Sequence, residues 1–343
     1  MAAQIRSPQL VVRPVLRDVV VVGASAGGVS ALCSMAAKLP ASFAPSVFVV
    51  VHIGSHPSAL PDILTASGPL PAKHPSDGDR YLPGVIYVAP PDCHMLLQDG
   101  LIRLTHGPKE HHTRPAIDPL FRSAALSVGP RAIGVVLTGH LDDGTAGMQA
   151  IKECGGLTVV QDPAEAEASG MPESVLESVD IDHCVRLSDL ADTLVQLSKH
   201  PVVANVVQAP PRLVNEHLAS TSKGLILDKL ESVAQPSSLV CPECTGTLWE
   251  ITDSRPPRYR CHTGHAYSLQ SLAHNQSVSV EAALWSALRA LQDREVILRK
   301  MAELHRQSGD ESQALEVQAE ADLVCQHGIL IQQLVESKSL LAQ

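Results

Sequence analysis

Two groups of residues in this chain have the types and spacing to do chemistry. The first begins in residues 18–32, DVVVVGASAGGVSAL, where Ser25 sits between Gly23 and Gly27, after a β-branched run and before an alanine-rich segment. A Gly-x-Ser-x-Gly corner between strand and helix lifts a hydroxyl clear of the backbone, and its small neighbours permit the tight turn. N–H groups at the start of the following helix can donate to a developing oxyanion. A serine in such a place is also a common helix N-cap, so the corner alone does not make a nucleophile. A serine hydrolase needs in addition an imidazole to take the proton and a carboxylate to hold that imidazole in one tautomer. His52 closes the run SVFVVV, and Asp142-Asp143 follow AIGVVLTGHL. A strand-end histidine and a turn aspartate each have plain structural uses. Their joint placement nevertheless favours Ser25, His52 and Asp143 as nucleophile, base and orienting acid. His183, beyond the acidic pair, is the rival base, because the α/β-hydrolase order is serine, acid, histidine.

The same glycines argue against a dinucleotide site. Gly23, Gly27 and Gly28 do not have the Gly-x-Gly-x-x-Gly spacing, and the second strand ends in His52 where a ribose-binding acid is needed.

The second group is CPECTGTLWEITDSRPPRYRCHTGHAYS, residues 241–268. Cys241 and Cys244 form a Cys-x-x-Cys knuckle, and Cys261, His262 and His265 follow a turn-rich spacer. Three thiolates and an imidazole at this spacing suit a closed tetrahedral site, which predicts a structural zinc on Cys241, Cys244, Cys261 and His265. His262, adjacent to Cys261, is the alternative fourth ligand. A redox use of the knuckle lacks the strand-to-helix setting of thioredoxin-like motifs. Three further histidines, His106, His111 and His112, cluster in a polar loop and are expected at the surface.

The elements that must position the first group are legible as an alternation. From about residue 18 to 200, short aliphatic runs (DVVVV, SVFVVV, GVIYVA, AIGVVL, GLTVVQ) alternate with helical stretches. This pattern predicts an α/β fold, a doubly wound and mostly parallel sheet. The composition agrees: 45% hydrophobic residues but only 3% aromatic leaves Val, Leu, Ile and Ala to build doubly covered strands. In such a sheet ligands bind beyond the carboxyl ends of the strands, which is where Ser25, His52 and Asp143 fall. The segment around Asp99-Gly100 reads as an antiparallel hairpin interrupting the alternation.

The expected domains are a catalytic domain over 17–200, a linker over 201–238, a small cysteine/histidine unit over 239–272 and a helical hairpin over 277–343. The formal charge of −10 opposes general attraction to nucleic acid or anionic membranes. Neither a leader segment nor a membrane span is apparent, and the other five of the eight cysteines are scattered as in reduced proteins, so a cytoplasmic location is expected.

The segments VVVGASAGGVSAL, VVHIGSHPSALPDIL, DGDRYLPGVIYVAPPDCHMLL, RPAIDPLFRSAA, VVLTGHLDDGTAGMQAIKECGG and VVQDPAEAEASGMPESVL together resemble the catalytic domain of CheB-type protein-glutamate methylesterases of bacterial chemotaxis. The resemblance implies a doubly wound fold and a triad at Ser25, His52 and Asp143. It also implies cofactor-free hydrolysis of glutamyl γ-methyl esters on the cytoplasmic domains of chemoreceptors, with glutamine deamidation as a side activity. A separate response regulator or methyltransferase is a further implied partner. A non-catalytic signalling adaptor on the same domain is the alternative. Three departures stand out. Only ~17 residues precede the first strand, too few for the N-terminal phosphoacceptor domain usual in the family. The usual Thr-Gly-Met-Gly reads Thr138-Gly139-His140-Leu141, with the Met position near the expected oxyanion, and Ala26 stands where Thr is common.

Overall fold

The computed structural model describes residues 15–52, 57–202, 208–221, 230–252 and 254–339. Residues 1–14, part of the stretch read for a leader, lie outside these, as do 203–207 and 222–229 of the expected linker. The chain forms two bodies, residues 1–272 and 273–343.

The first body is built on β1 (Val19–Ala24), β2 (Ser46–Val51), β3 (Ala72–Lys73), β4 (Ile86–Val88), β7 (Ala132–Val136), β8 (Leu157–Gln161) and β9 (His183–Val185). These make a seven-stranded sheet in the order β3-β4-β2-β1-β7-β8-β9. Every pairing in it is parallel. Helices α1 (Gly28–Lys38), α2 (Leu60–Ser67), α3 (Ile117–Val128), α4 (Thr145–Glu153), α5 (Gly170–Ser178) and α6 (Leu190–Lys199) cover it. The run of valines in β1 shows why: Val19 and Val21 enter one buried cluster with α3, while Val20 and Val22 enter the other with α1. A strand apolar on both faces is stable only between two helical layers. Chain order reverses direction between β1 and β7, and it is beyond the carboxyl ends at such a switch point that open α/β sheets bind their ligands.

The expected hairpin is β5 (His94–Gln98) and β6 (Leu101–Thr105), turning at Asp99 and Gly100, both with positive φ. The expected linker contains a packed helix, α7 (Pro211–Thr221), whose Leu213 and Glu216 are buried. Its turn-rich flanks hid it in the sequence. The small unit is an antiparallel sheet of β10 (Ala234–Val240), β11 (Thr247–Ile251), β12 (Arg258–Cys261) and β13 (Ala266–Ser268).

Two helices, α8 (Leu269–Gln307) and α9 (Glu311–Ser339), form the hairpin. Its seam is Leu298 and Ala302 against Val317, Ala321 and Val324, the alternating three- and four-residue spacing of a coiled coil. Helix α8 starts at Leu269, earlier than the expected 277, because Ser268 caps it. The Ser271 N–H donates to the Ser268 hydroxyl at 3.0 Å, and the Ser268 N–H donates back to the Ser271 hydroxyl at 2.9 Å.

Candidate active site

The sheet brings Ser25, His52 and Asp143 together at one edge. Ser25 follows β1, and its N–H donates to the Thr138 carbonyl at 2.9 Å, fastening the corner to the chain leaving β7. The Thr138 hydroxyl donates to the Ala26 carbonyl at 2.9 Å and accepts the Ala168 N–H at 2.8 Å. Gly27 completes the corner with φ 73°, a left-handed conformation that glycine adopts at little cost. Gly139 is needed for a different reason: a side chain there would stand 2.9 Å from the Ser25 Cβ. Among the described residues, the N–H groups of Ala26 and Gly27 have no hydrogen-bond partner. They stand at the mouth of α1, where the helix dipole favours negative charge.

His52 follows β2. Its Nδ1 lies 3.1 Å from the Ser25 Oγ and its Nε2 lies 2.8 Å from Asp143 Oδ2. With Asp143 ionised, Nε2 carries the proton and Nδ1 faces the hydroxyl as an acceptor. His183 begins the edge strand β9, with β7 and β8 between it and β1, so His52 is the imidazole beside the serine.

Asp143 is almost fully buried at the N-terminus of α3. It accepts the Ile117 N–H at 2.7 Å and the Asp118 N–H at 3.0 Å. Asp118 in turn accepts the N–H groups of Gly144 (3.1 Å) and Gly147 (2.7 Å) at the start of α4. The two carboxylates thus satisfy the orphan donors of each other's helix. Burial pushes the Asp143 carboxyl up, but the His111 charge, the His52 hydrogen bond and the backbone donors outweigh it and leave it at about 2. Asp142, its neighbour, has no contact with His52. Burial raises its pKa, and His111 and the Ser268 hydroxyl only partly offset that.

His111 departs from expectation. It is 8% exposed, not at the surface. Its Nε2 lies 2.9 Å from Asp118 Oδ2, and its N–H donates to the Ala266 carbonyl of β13 at 2.8 Å. His112, by contrast, keeps 55% of its side chain exposed beside Glu243. The polar composition of the loop concealed that the Cys/His unit packs over it.

In that unit the Sγ atoms of Cys241, Cys244 and Cys261 and a ring nitrogen of His265 all lie within 4.8 Å of one another. Cys244 and Cys261 Sγ are 3.6 Å apart, and His265 Nδ1 is 3.7 Å from Cys241 Sγ and 3.5 Å from Cys261 Sγ. A tetrahedron of ligands about 2.3 Å from one ion has edges of roughly 3.8 Å, so the residues fit a zinc ion. His262 accepts the Trp249 indole N–H at 3.0 Å instead.

Residues 20–194 match the model of the CheB methylesterase family, about half of the chain. The chain belongs to that family. A Leptospira interrogans protein (serovar copenhageni), provisionally named a protein-glutamate methylesterase/protein-glutamine glutaminase, is 35% identical over 185 residues, covering 53% of this chain and 96% of its own. A protein-glutamate methylesterase/protein-glutamine glutaminase of Syntrophus aciditrophicus is 34% identical over 184 residues, 52% of this chain and 53% of its own, so this chain spans about half the length of that relative. The crystal structure of the Thermotoga maritima CheB methylesterase catalytic domain is 31% identical with a TM-score of 0.51, covering 52% of this chain and 98% of that one. The CheB methylesterase match ends before the Cys/His unit begins.

Proposed function

We propose that this chain is a protein-glutamate methylesterase that hydrolyses glutamyl γ-methyl esters on chemoreceptor-like proteins and releases methanol. The observation that carries the reading is the hydrogen-bond chain Ser25–His52–Asp143 at the carboxyl edge of the sheet, within the residues that match the family.

The Ser25 hydroxyl attacks the ester carbonyl as His52 Nδ1 takes its proton. The imidazolium so formed is held by Asp143 through Nε2–H. The N–H groups of Ala26 and Gly27 are the donors offered to the carbonyl oxygen as it becomes negative. Nδ1–H then protonates the departing methoxide. Water, activated by the same nitrogen, attacks the acyl-enzyme and frees the glutamate carboxyl and Ser25. A glutamine amide would follow the same path with ammonia leaving, which is the second activity in the relatives' names. None of these steps calls for a cofactor.

Zinc on Cys241, Cys244, Cys261 and His265 is structural in this reading: all four positions are protein ligands, so none is open for substrate. No helix among the described residues is long and apolar enough to cross a membrane, and a cytoplasmic site of action on receptor signalling domains is the proposed setting. A response regulator or the opposing methyltransferase is the proposed additional partner.

Methanol release from a methylated receptor domain tests the reading. Ser25→Ala should lower kcat by at least ~10³-fold, the cost of losing a nucleophile from a triad. Equal release by parent and variant would favour a non-catalytic adaptor.

A further inference from the structure

His111 is a buried imidazole that the reaction above does not use, and it stands among three buried carboxylates. Beyond its bond to Asp118, its Nε2 lies 3.7 Å from Asp143 Oδ1, and its Nδ1 lies 3.7 Å from Asp142 Oδ1. Among the described residues those last two atoms have no hydrogen-bond partner. Three carboxylates cannot all stay ionised in so dry a place without a cation near them. His52, which must be neutral to accept a proton, cannot supply that charge.

The loop that carries His111 is clamped by the Cys/His unit. Its Glu110 carboxylate accepts from Arg122 of α3 at 2.7 Å and from Arg260 of β12 at 2.9 Å, all three side chains buried. Glu216 of α7 accepts both terminal nitrogens of Arg258, also of β12, at 2.6 and 2.9 Å. Glu243, inside the Cys-x-x-Cys knuckle, reaches Lys109 at 3.6 Å and His112 at 2.5 Å. Ala266, next to the ligand His265, accepts the His111 N–H, and its own N–H donates to the Lys109 carbonyl. His111 itself has φ 51°, a backbone conformation that needs such external support.

We propose that His111 is a positioning residue for the esterase, a cationic ring that fixes Asp143 behind His52, and that the Cys/His unit is the clamp holding it there. The inference rests on the methylesterase reading. Burial pushes the His111 ring down, but Asp143, Asp118 and Asp142 overcome this and raise it to about 10. The charged groups around the ring are those three carboxylates on the catalytic side. On the clamp side they are Glu110 and Glu216, held by Arg122, Arg258 and Arg260. Removing the ring's charge leaves the catalytic pair of Asp143 and His52 in more negative surroundings.

The test uses the full chain with zinc bound and methylated receptor domain as substrate. His111→Asn should lower kcat about tenfold with KM within twofold, and should move the acid limb of kcat/KM to higher pH. A parent enzyme that releases no methanol would sink the methylesterase reading. An active parent with kcat and acid limb unchanged in the variant would sink only this inference. Should the variant not fold, ring-nitrogen NMR of the parent at pH 8 decides: two protonated His111 nitrogens support the proposal, and one overturns it. The clamp is read separately by amide exchange. Chelating the zinc should speed exchange at residues 109–112, and unchanged exchange there would overturn its role.

Discussion

The Ser25 corner gathers residues 25, 52 and 143 from distant parts of the chain and the Cys/His unit gathers four side chains within residues 241–265, and they do so by different means. At the corner, an aliphatic sheet buried on both faces fixes where β1, β2 and β7 end; Ser25 and His52 directly follow the first two, and Asp143 lies in the loop between β7 and α4. Among the described residues the small unit has two small buried clusters, Cys241, Leu248, Tyr259, Cys261, Tyr267 and Leu272 in one and Leu230, Ala234 and Ile251 in the other, and two of these are proposed zinc ligands. So small a core cannot offset the entropy of ordering its strands. The corner is held by hydrophobic burial, whereas the small unit, in the reading proposed above, is held by a zinc ion together with the buried pairs of Arg258 and Arg260.

The contrast breaks most clearly under metal removal, where the largest effect is expected. Structural zinc contributes about 10–16 kcal/mol of binding free energy to small domains of this type. Cys241→Ser, or exhaustive chelation, should unfold residues 234–268 while the parallel sheet keeps its amide protection and its circular dichroism. Loss of both regions in a single transition would show that the sheet depends on the unit.

Next in size is the difference between two adjacent carboxylates. Asp143→Asn replaces the partner of His52 Nε2–H with an amide that can present its own N–H, which favours the wrong tautomer. By analogy with serine proteases the expected loss in kcat is about 10³–10⁴-fold. Asp142→Asn leaves His52 and its partners intact, so its kcat should stay within about threefold. Equal losses would mean that the cluster acts through its total charge rather than through the contact with His52.

What was legible in the sequence follows the same division. The sheet was readable because runs such as residues 19–22 and 46–51 must be covered on both faces, and the strand ends then locate Ser25 and His52 directly, with Asp143 in the loop that follows β7. The clustering of Cys241, Cys244, Cys261 and His265 was readable because a Cys-x-x-Cys knuckle followed by a Cys and a His has the spacing that one ion would require. His111, Glu110, Arg260 and helix α7 were not. Their burial depends on which distant surface packs over them, and a polar loop has the same composition whether covered or bare. The one available signal was the unusual density of charge types in residues 106–118 (four histidines or arginines and two acids among them), more than a solvated turn requires.

The smallest effect concerns a residue that the corner carries at some cost. Leu141 has φ 62°, in the left-handed region, at the place where the family's Thr-Gly-Met-Gly has its second glycine. A branched side chain there is strained by about 1–2 kcal/mol. Glycine would relieve that strain but lose about 0.5–1 kcal/mol through its freer unfolded chain. Leu141→Gly should therefore stabilise the first body by about 0.5–1 kcal/mol, read as a rise of about 2 °C in its unfolding midpoint. The triad contacts, made by Ser25, His52 and Asp143 to one another, do not involve this side chain, so the gain should come with kcat changed by less than about threefold. A lower midpoint would show that the half-buried leucine contributes more by packing than its backbone costs. The strain would then be part of how this corner is held, making the catalytic region less self-sufficient than its sheet suggests.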